Sequence, residues 1–217
     1  MRFARLNGLR VEANPKLRAM CPGCDGEVVA KCGRYKVWHW SHLSRAHCDP
    51  WWETESEWHR AWKNRFPEGW QEVPIFGPPG ELHIADVMTP SKLVIEFQRS
   101  SIHPDEVRAR EDFYQSMIWV VDGCKNDSDR FYFYRSEVNE FGRARFDWVG
   151  RGKLFQRWQT DKPVFIDFGP EHGFWKVLMF DPSTKKGLVE WFAIDNFVEL
   201  VCSGTTDFSG MGGPASE

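Results

Sequence analysis

No run of 18 apolar residues occurs anywhere in the 217-residue chain, which excludes a transmembrane helix, since bilayer thickness sets the length such a run needs. An apolar export leader is also missing, because Met1-Arg2-Phe3-Ala4-Arg5-Leu6 leads into a polar stretch. The expectation is a cytoplasmic protein without a membrane partner. Cysteine is sparse, six residues in all, and four of them fall between Cys21 and Cys48. With no export signal, that clustering speaks against a disulfide framework and for reduced thiols gathered on a metal. A large excess of either charge is lacking too, the net value being −3, so overall charge does not mark a nucleic-acid binder. The distribution says more. Residues 1–66 hold 12 Lys+Arg against 7 Asp+Glu, whereas residues 67–124 hold 4 against 10. A basic flank beside an acidic centre suits a phosphate-facing surface next to cation-binding carboxylates. The length allows one medium domain or two small ones, with enough core to fold without disulfides.

Residues 1–13 alternate loosely and read as a strand. Cys21-Pro22-Gly23-Cys24 then has the form of a zinc knuckle, two thiolates three positions apart gripping one metal. The runs Glu27–Lys31 and Tyr35–Trp40, separated by Cys32-Gly33-Arg34, read as a β-hairpin ending in His39-Trp40-Ser41-His42, with Cys48 following. Five ligands therefore compete for four tetrahedral positions. Cys21 and Cys24 are the firm pair; His42 and Cys48 complete the preferred set, with His39 as the rival. Such a centre is structural, because four protein ligands leave no open position for chemistry.

A hairpin with a carboxylate in each arm follows. Leu82–Met88 contains Asp86 and Leu93–Gln98 contains Glu96, on either side of the turn Thr89-Pro90-Ser91-Lys92. Alternation puts Glu96 and Gln98 on one face and Ile95 and Phe97 on the other. A carboxylate inside a buried strand is costly unless something neutralises it. A divalent cation held by Asp86 and Glu96 would do so, which suggests a Mg²⁺- or Mn²⁺-dependent nuclease site.

Both neighbouring helices aim polar residues at this hairpin. Thr54-Glu55-Ser56-Glu57 matches a capping box with Thr54 as the cap; Trp58, Trp62 and Phe66 form an apolar stripe, with Glu55 and His59 on or beside it. Pro104 suits the first position of a helix over 104–116 that directs Arg110 inward with Val107 and Tyr114. Trp70–Phe76 and Ile118–Val121 read as further strands. Helix, three strands, helix and strand make an α/β core. Aromatic runs after residue 125, among them Phe131-Tyr132-Phe133-Tyr134 and Phe174–Phe180, indicate more strands, and Thr205–Glu217 has the composition of a loose tail.

These residues resemble the CoiA-like competence proteins, whose core belongs to the PD-(D/E)xK restriction-endonuclease-like superfamily. The likeness covers residues 21 to about 124. It rests on Cys21-Pro22-x-Cys24, His39-Trp40-Ser41-His42 with Cys48, Glu55-Ser56-x-x-His59-x-x-x-Lys63, Asp86, Ile95-Glu96-Phe97-Gln98-x-Ser100 and Arg110-x-x-x-Tyr114. The resemblance implies a zinc-ribbon-like module at 1–50 and a nuclease core at 51–124; the aromatic runs beyond it read as a β-rich extension at 125–204, which either lengthens the nuclease sheet or forms a small appendage, and composition gives a flexible tail at 205–217. The resemblance also implies hydrolysis of DNA, single-stranded or duplex, in DNA processing or recombination, with recombination proteins as further partners. Asp86 and Glu96 would then hold Mg²⁺, Gln98 would orient the attacking water, Glu55 would join or support the metal shell with His59 behind it, and Arg110 would support the carboxylates or the phosphate. The superfamily usually has Lys where this chain has Gln98. General-base assistance is thereby left to a cation-bound water, His59 or Lys63. A protein of another class, which holds DNA or a recombination partner without cutting, is the competing reading.

Overall fold

The computed structural model describes residues 1–44, 48–125, 133–149 and 160–208. The chain divides into two compact units, Met1–Met88 and Thr89–Glu217.

The first unit begins with five short strands, β1 (Phe3–Leu6), β2 (Leu9–Glu12), β3 (Arg18–Met20), β4 (Glu27–Lys31) and β5 (His39–His42). They form an antiparallel sheet in the order β2-β1-β3-β4-β5. Where one strand was expected over residues 1–13 there are two, joined at Asn7-Gly8 with φ of 51° and 80°. Both values lie in the left-handed region that a two-residue type I′ hairpin requires, and Asn-Gly is the pair that adopts it most readily. One face of the sheet is apolar, where Ala4, Ala19, Val28 and Trp40 pack with Cys21. Trp40 Nε1 meets its buried hydrogen-bonding need at the Val11 carbonyl, 3.0 Å away.

Helix α1 (Glu57–Lys63) follows, and its cap differs from the expected one. Ser56, not Thr54, is the N-cap, its hydroxyl accepting from the His59 amide at 3.2 Å. Glu55 thereby lies outside the helix, and the buried side of α1 consists of His59, Trp62 and Lys63. Strands β6 (Gln71–Phe76) and β7 (Leu82–Met88) pair as an antiparallel hairpin from Phe76↔Leu82 to Gln71↔Val87. Along β7 burial alternates, with His83, Ala85 and Val87 inside and Leu82, Ile84, Asp86 and Met88 half-buried on the other face.

The second unit is built on β8 (Val94–Gln98), α2 (Pro104–Tyr114) and β9 (Met117–Asp122). The two strands run parallel with Val94↔Met117 to Gln98↔Val121 in register, so α2 is their crossover. Every residue of β8 and β9 is buried, as expected where parallel strands are covered on both faces. Pro104 takes the first helical turn as the sequence predicted. The helix ends at Tyr114, two residues short of expectation, because Gln115 turns into the left-handed region with φ 60°.

Five more strands lengthen this sheet: β10 (Phe133–Arg135), β11 (Arg143–Trp148), β12 (Val164–Asp167), β13 (Phe174–Asp181) and β14 (Lys186–Phe192). In this unit the order is β10-β11-β14-β13-β12-β9-β8. β12 runs parallel to β9, with Val164↔Trp119 to Asp167↔Asp122 in register. Residues past 125 thus continue the sheet that begins with β8. Helix α3 (Ile194–Cys202) lays Phe197 against Phe165 and Phe174, at ring separations of 4.8 and 5.4 Å. Phe208, from the stretch expected to be a loose tail, is buried against Phe165 and Phe197. Arg45, Ala46, His47, Phe131, Tyr132 and residues 209–217 lie outside the described residues.

Candidate metal centre and carboxylate clusters

The knuckle is shaped by backbone hydrogen bonds that bring two sulfurs to one side. The Cys21 amide donates to the Gly26 carbonyl at 2.9 Å, the Asp25 amide to the Cys21 carbonyl at 3.1 Å, and the Gly26 amide to Cys24 Sγ at 3.4 Å. His42 arrives from the end of β5 and Cys48 from the segment after it. The ligand atoms of Cys21, Cys24, His42 and Cys48 all lie within 4.8 Å of one another. Cys21 Sγ is 3.8 Å from Cys48 Sγ, and Cys24 Sγ is 3.3 Å from His42 Nε2. A tetrahedral zinc with Zn–S of about 2.3 Å places its sulfurs about 3.8 Å apart, so spacing and donor chemistry both fit that ion. These four residues form a potential zinc site. Cys48 pulls the Cys21 thiol down to about 5 through their hydrogen bond, against the opposing effect of burial. That same bond, with burial, pushes Cys48 up. His39 is not in the group; its Nδ1 donates to the Val37 carbonyl at 2.9 Å.

The metal group is tied to β7. Asp49, next to Cys48, accepts from the Ile84 amide through Oδ2 at 2.8 Å, and its Oδ1 is 2.9 Å from His83 Nδ1. A Cβ placed on Gly23, inside the knuckle, would meet the side chains of Leu82 and Ile84 at 3.0 to 3.5 Å.

Two residues beyond Ile84, Asp86 joins a cluster centred on Lys63, whose side chain is only 2% exposed. The ammonium donates to Glu55 Oε2 at 2.7 Å and to Glu72 Oε1 at 2.9 Å, and stands 3.8 Å from Asp86 Oδ1. Burial alone would lower the Lys63 pKa. The charges of Glu72, Glu55 and Asp86 outweigh it and hold the ammonium well above its ordinary value. Lys63 is thereby biased toward holding its proton. Burial also opposes ionisation of Glu72, but Lys63, the chain's amino terminus and the Phe3 amide prevail and hold it down to about 2. Its carboxylate accepts from the Arg2 amide at 2.7 and 2.8 Å and from the Phe3 amide at 2.9 Å. Glu72 has a φ of 47°, a left-handed conformation costing a non-glycine residue on the order of 1–3 kcal/mol.

His59 Nδ1 is 2.7 Å from Ser56 Oγ, and Nε2 is 3.6 Å from Glu53 Oε2. Burial works against its protonation, yet Glu53 and Asp86 leave its pKa raised. The imidazole is thus biased toward holding a proton.

In the second unit Glu96 and Arg110 are both buried and joined by a hydrogen bond from Nη1 to Oε2 of 2.8 Å. Arg110 Nη2 also donates to Glu106 Oε1 at 2.6 Å, one helical turn away. Burial disfavours this guanidinium's charge, but Glu96 and Glu106 more than restore it and leave its pKa raised. Gln98 is buried, and its Nε2 donates to the Ser100 carbonyl at 2.9 Å.

The structure therefore gathers Glu55, His59, Lys63 and Asp86 in one unit and Glu96, Gln98 and Arg110 in the other. Glu72 and Asp49 are the participants that sequence reasoning did not assign. Glu72 lay within a recognised strand run, but no local pattern announces a strand residue with positive φ that also binds the amides of Arg2 and Phe3.

Residues 10–50 match the family model described as competence protein CoiA, N-terminal domain. This span runs from β2 to just beyond Cys48 and includes all four zinc-site residues. No curated protein and no solved structure matches the chain. Among the described residues, no helix is long and apolar enough to cross a membrane.

Proposed function

We propose that this protein is a metal-dependent nuclease that hydrolyses DNA phosphodiester bonds in a competence-related process, with its zinc module as a structural element. The observation that carries the reading is the placement of Asp86. It sits mid-strand with its side chain 25% exposed, beyond hydrogen-bond reach of a buried ammonium whose own bonds go to Glu55 and Glu72. The side chains of Glu55 and Glu72 are 4% and 5% exposed, so Asp86 is the carboxylate around Lys63 that solvent reaches most. The match at residues 10–50 supports the competence connection.

Asp86 and Glu96, ten positions apart across a short turn, are the carboxylates that would hold Mg²⁺ or Mn²⁺, since hard cations take oxygen ligands. A cation bound there would polarise the phosphate and lower the pKa of a nucleophilic water. Glu55 acts as a positioning residue through Lys63. Arg110 fixes one oxygen of Glu96. Gln98, whose Nε2 donates to the Ser100 carbonyl, would orient the attacking water. His59 would stand behind this shell, its Nδ1 2.7 Å from Ser56 Oγ.

The test is incubation of the full chain with end-labelled single- and double-stranded DNA in the presence of Mg²⁺, Mn²⁺ or a chelator. Cleavage is expected only with the cation, and Asp86→Ala and Glu96→Ala are each expected to abolish it while zinc content and folding persist. Wild-type activity in either variant would sink the assignment.

A second reading, a binding protein without cleavage, has one observation in its favour: Arg110 already neutralises Glu96 without a cation. Gln98 separates the two. On the nuclease reading Gln98→Ala lowers turnover by about 10²–10³, the cost of one orienting hydrogen bond, and less than Glu96→Ala does. Gln98→Lys keeps cation-dependent cleavage. Wild-type protein that binds DNA but cuts no faster than Asp86→Ala, together with a Gln98→Lys variant that does cut, would transfer the assignment to the binding reading.

A further inference from the structure

The segment joining β4 to β5 has a composition that neither the zinc site nor the carboxylate clusters use. Between Glu27 and Asp49 the sequence contains Lys31, Arg34, Lys36 and Arg45 and no acidic residue; Arg45 lies outside the described residues. Lys31, Arg34 and Lys36 are exposed, and none has an ion-pair partner among the described residues. Two aromatic rings stand among them. Tyr35 is 99% exposed and Trp38 46%, whereas Trp40, two residues on, is buried in the core. A tyrosine that contacts no other part of the fold contributes nothing to stability, and its apolar ring stays in water.

The base of this tip is nevertheless held in place. Arg60, on α1, donates from Nη2 to the Trp38 carbonyl at 2.8 Å, and His39 Nδ1 donates to the Val37 carbonyl at 2.9 Å. Register places Lys31 opposite His39 and Val29 opposite Ser41. By alternation these four share the sheet face that turns away from buried Val28 and Trp40. A basic strand end, a basic tip and two presented rings thus form one edge of the module, on an anchored base.

Rings interleaved with unpaired cations are complementary to a polyanion that carries exposed π-faces. Single-stranded nucleic acid has both, with phosphates for the cations and splayed bases for the rings. A duplex offers the same phosphates but buries its π-faces in the stack, and an acidic protein surface offers charge alone. We propose that the β4–β5 tip is a stacking platform for single-stranded DNA, with Tyr35 and Trp38 receiving bases and Lys31, Arg34 and Lys36 tracking the backbone. This shares with the proposed function its choice of DNA but does not require the cation site.

The test is fluorescence anisotropy on the full chain with an end-labelled oligothymidylate, compared with a duplex of equal length, and without added divalent cation. Wild-type protein is expected to bind the single strand more tightly. Tyr35→Ala should weaken that binding about 5- to 150-fold, the range for loss of one base–aromatic stack, while Tyr35→Phe keeps it. Lys36→Gln should reduce the slope of log affinity against log salt by about 0.7. Because the Tyr35 side chain is exposed, zinc content and melting temperature should not change in these variants, so a loss of affinity reports on contact with the ligand. Single-strand binding unaltered in both Tyr35→Ala and Trp38→Ala would overturn the proposal, as would a wild-type protein that prefers the duplex. Absence of cleavage alongside Tyr35-dependent binding would sink the nuclease reading and support this one. Cleavage alongside Tyr35-independent binding would do the reverse.

Discussion

Replacing Cys21 with serine is expected to release zinc and unfold the first fifty residues, the largest effect of any single substitution in this chain. Purified wild-type protein should carry about one zinc per chain by elemental analysis. In small zinc modules the free energy of metal binding is also folding free energy, apparent values being roughly 10–16 kcal/mol. Cys21 is fully buried within the same cluster as Val28 and Trp40, so loss of the ion opens the apolar face of the sheet and not only its edge. The damage should reach β7 as well. Asp49, next to the ligand Cys48, holds the Ile84 amide at 2.8 Å, and Gly23 lies against Leu82 and Ile84. Hydrogen exchange should therefore show protection lost in β4, β5 and the Ile84 amide, both in Cys21→Ser and in wild type stripped by a chelator. His39→Ala should retain the ion. Well-folded wild-type protein without zinc would refute the site. Release by His39→Ala but not by His42→Ala would show that the fourth ligand is misassigned.

Glu72→Gln is expected to cost about 3–5 kcal/mol of stability, the usual effect of breaking a buried ion pair from one side. The carboxylate supports Lys63 and two backbone amides at once, and glutamine can replace its shape but not its charge. The effect has a pH signature. Glu72 is held down to about 2 from an ordinary 4.5. A depressed carboxylate pKa contributes stability that is present in full above the ordinary value and lost as pH falls through the folded value. Thermal or urea unfolding of wild type should accordingly lose on the order of 3 kcal/mol between about pH 4.5 and 2 from this group. Glu72→Gln should start lower at neutral pH and fall less steeply across that window. Matching midpoints and matching acid slopes for the two proteins would mean that Glu72 does not hold the cluster together.

The members of the potential zinc site were legible in the chain because their chemistry is local: a knuckle of four residues, a hairpin of known length and a thiol shortly after. Strand β7 was legible to its end residues, and Pro104 announced α2, since periodicity and backbone restriction act over a few neighbours. The Asn7-Gly8 turn was equally local and could have been read. The N-cap of α1 was a closer contest. Thr54 and Ser56 both suit the role, and Ser56 takes it where its hydroxyl can serve both the His59 amide and the His59 ring. What the sequence determined by itself, then, was which four residues the fold gathers into a potential zinc site, because residue type and short spacing are enough to pick them out. Tertiary structure alone decided that Lys63 is an enclosed ammonium, since its partners Glu55 and Glu72 come from a capping segment and a strand that meet only in the folded unit. It alone decided the positive φ of Glu72, which is held by bonds to amides about seventy positions away in the chain. The same holds for the pairing of β12 with β9 across more than forty residues, because long-range register is set by which faces are left to bury once each element has formed.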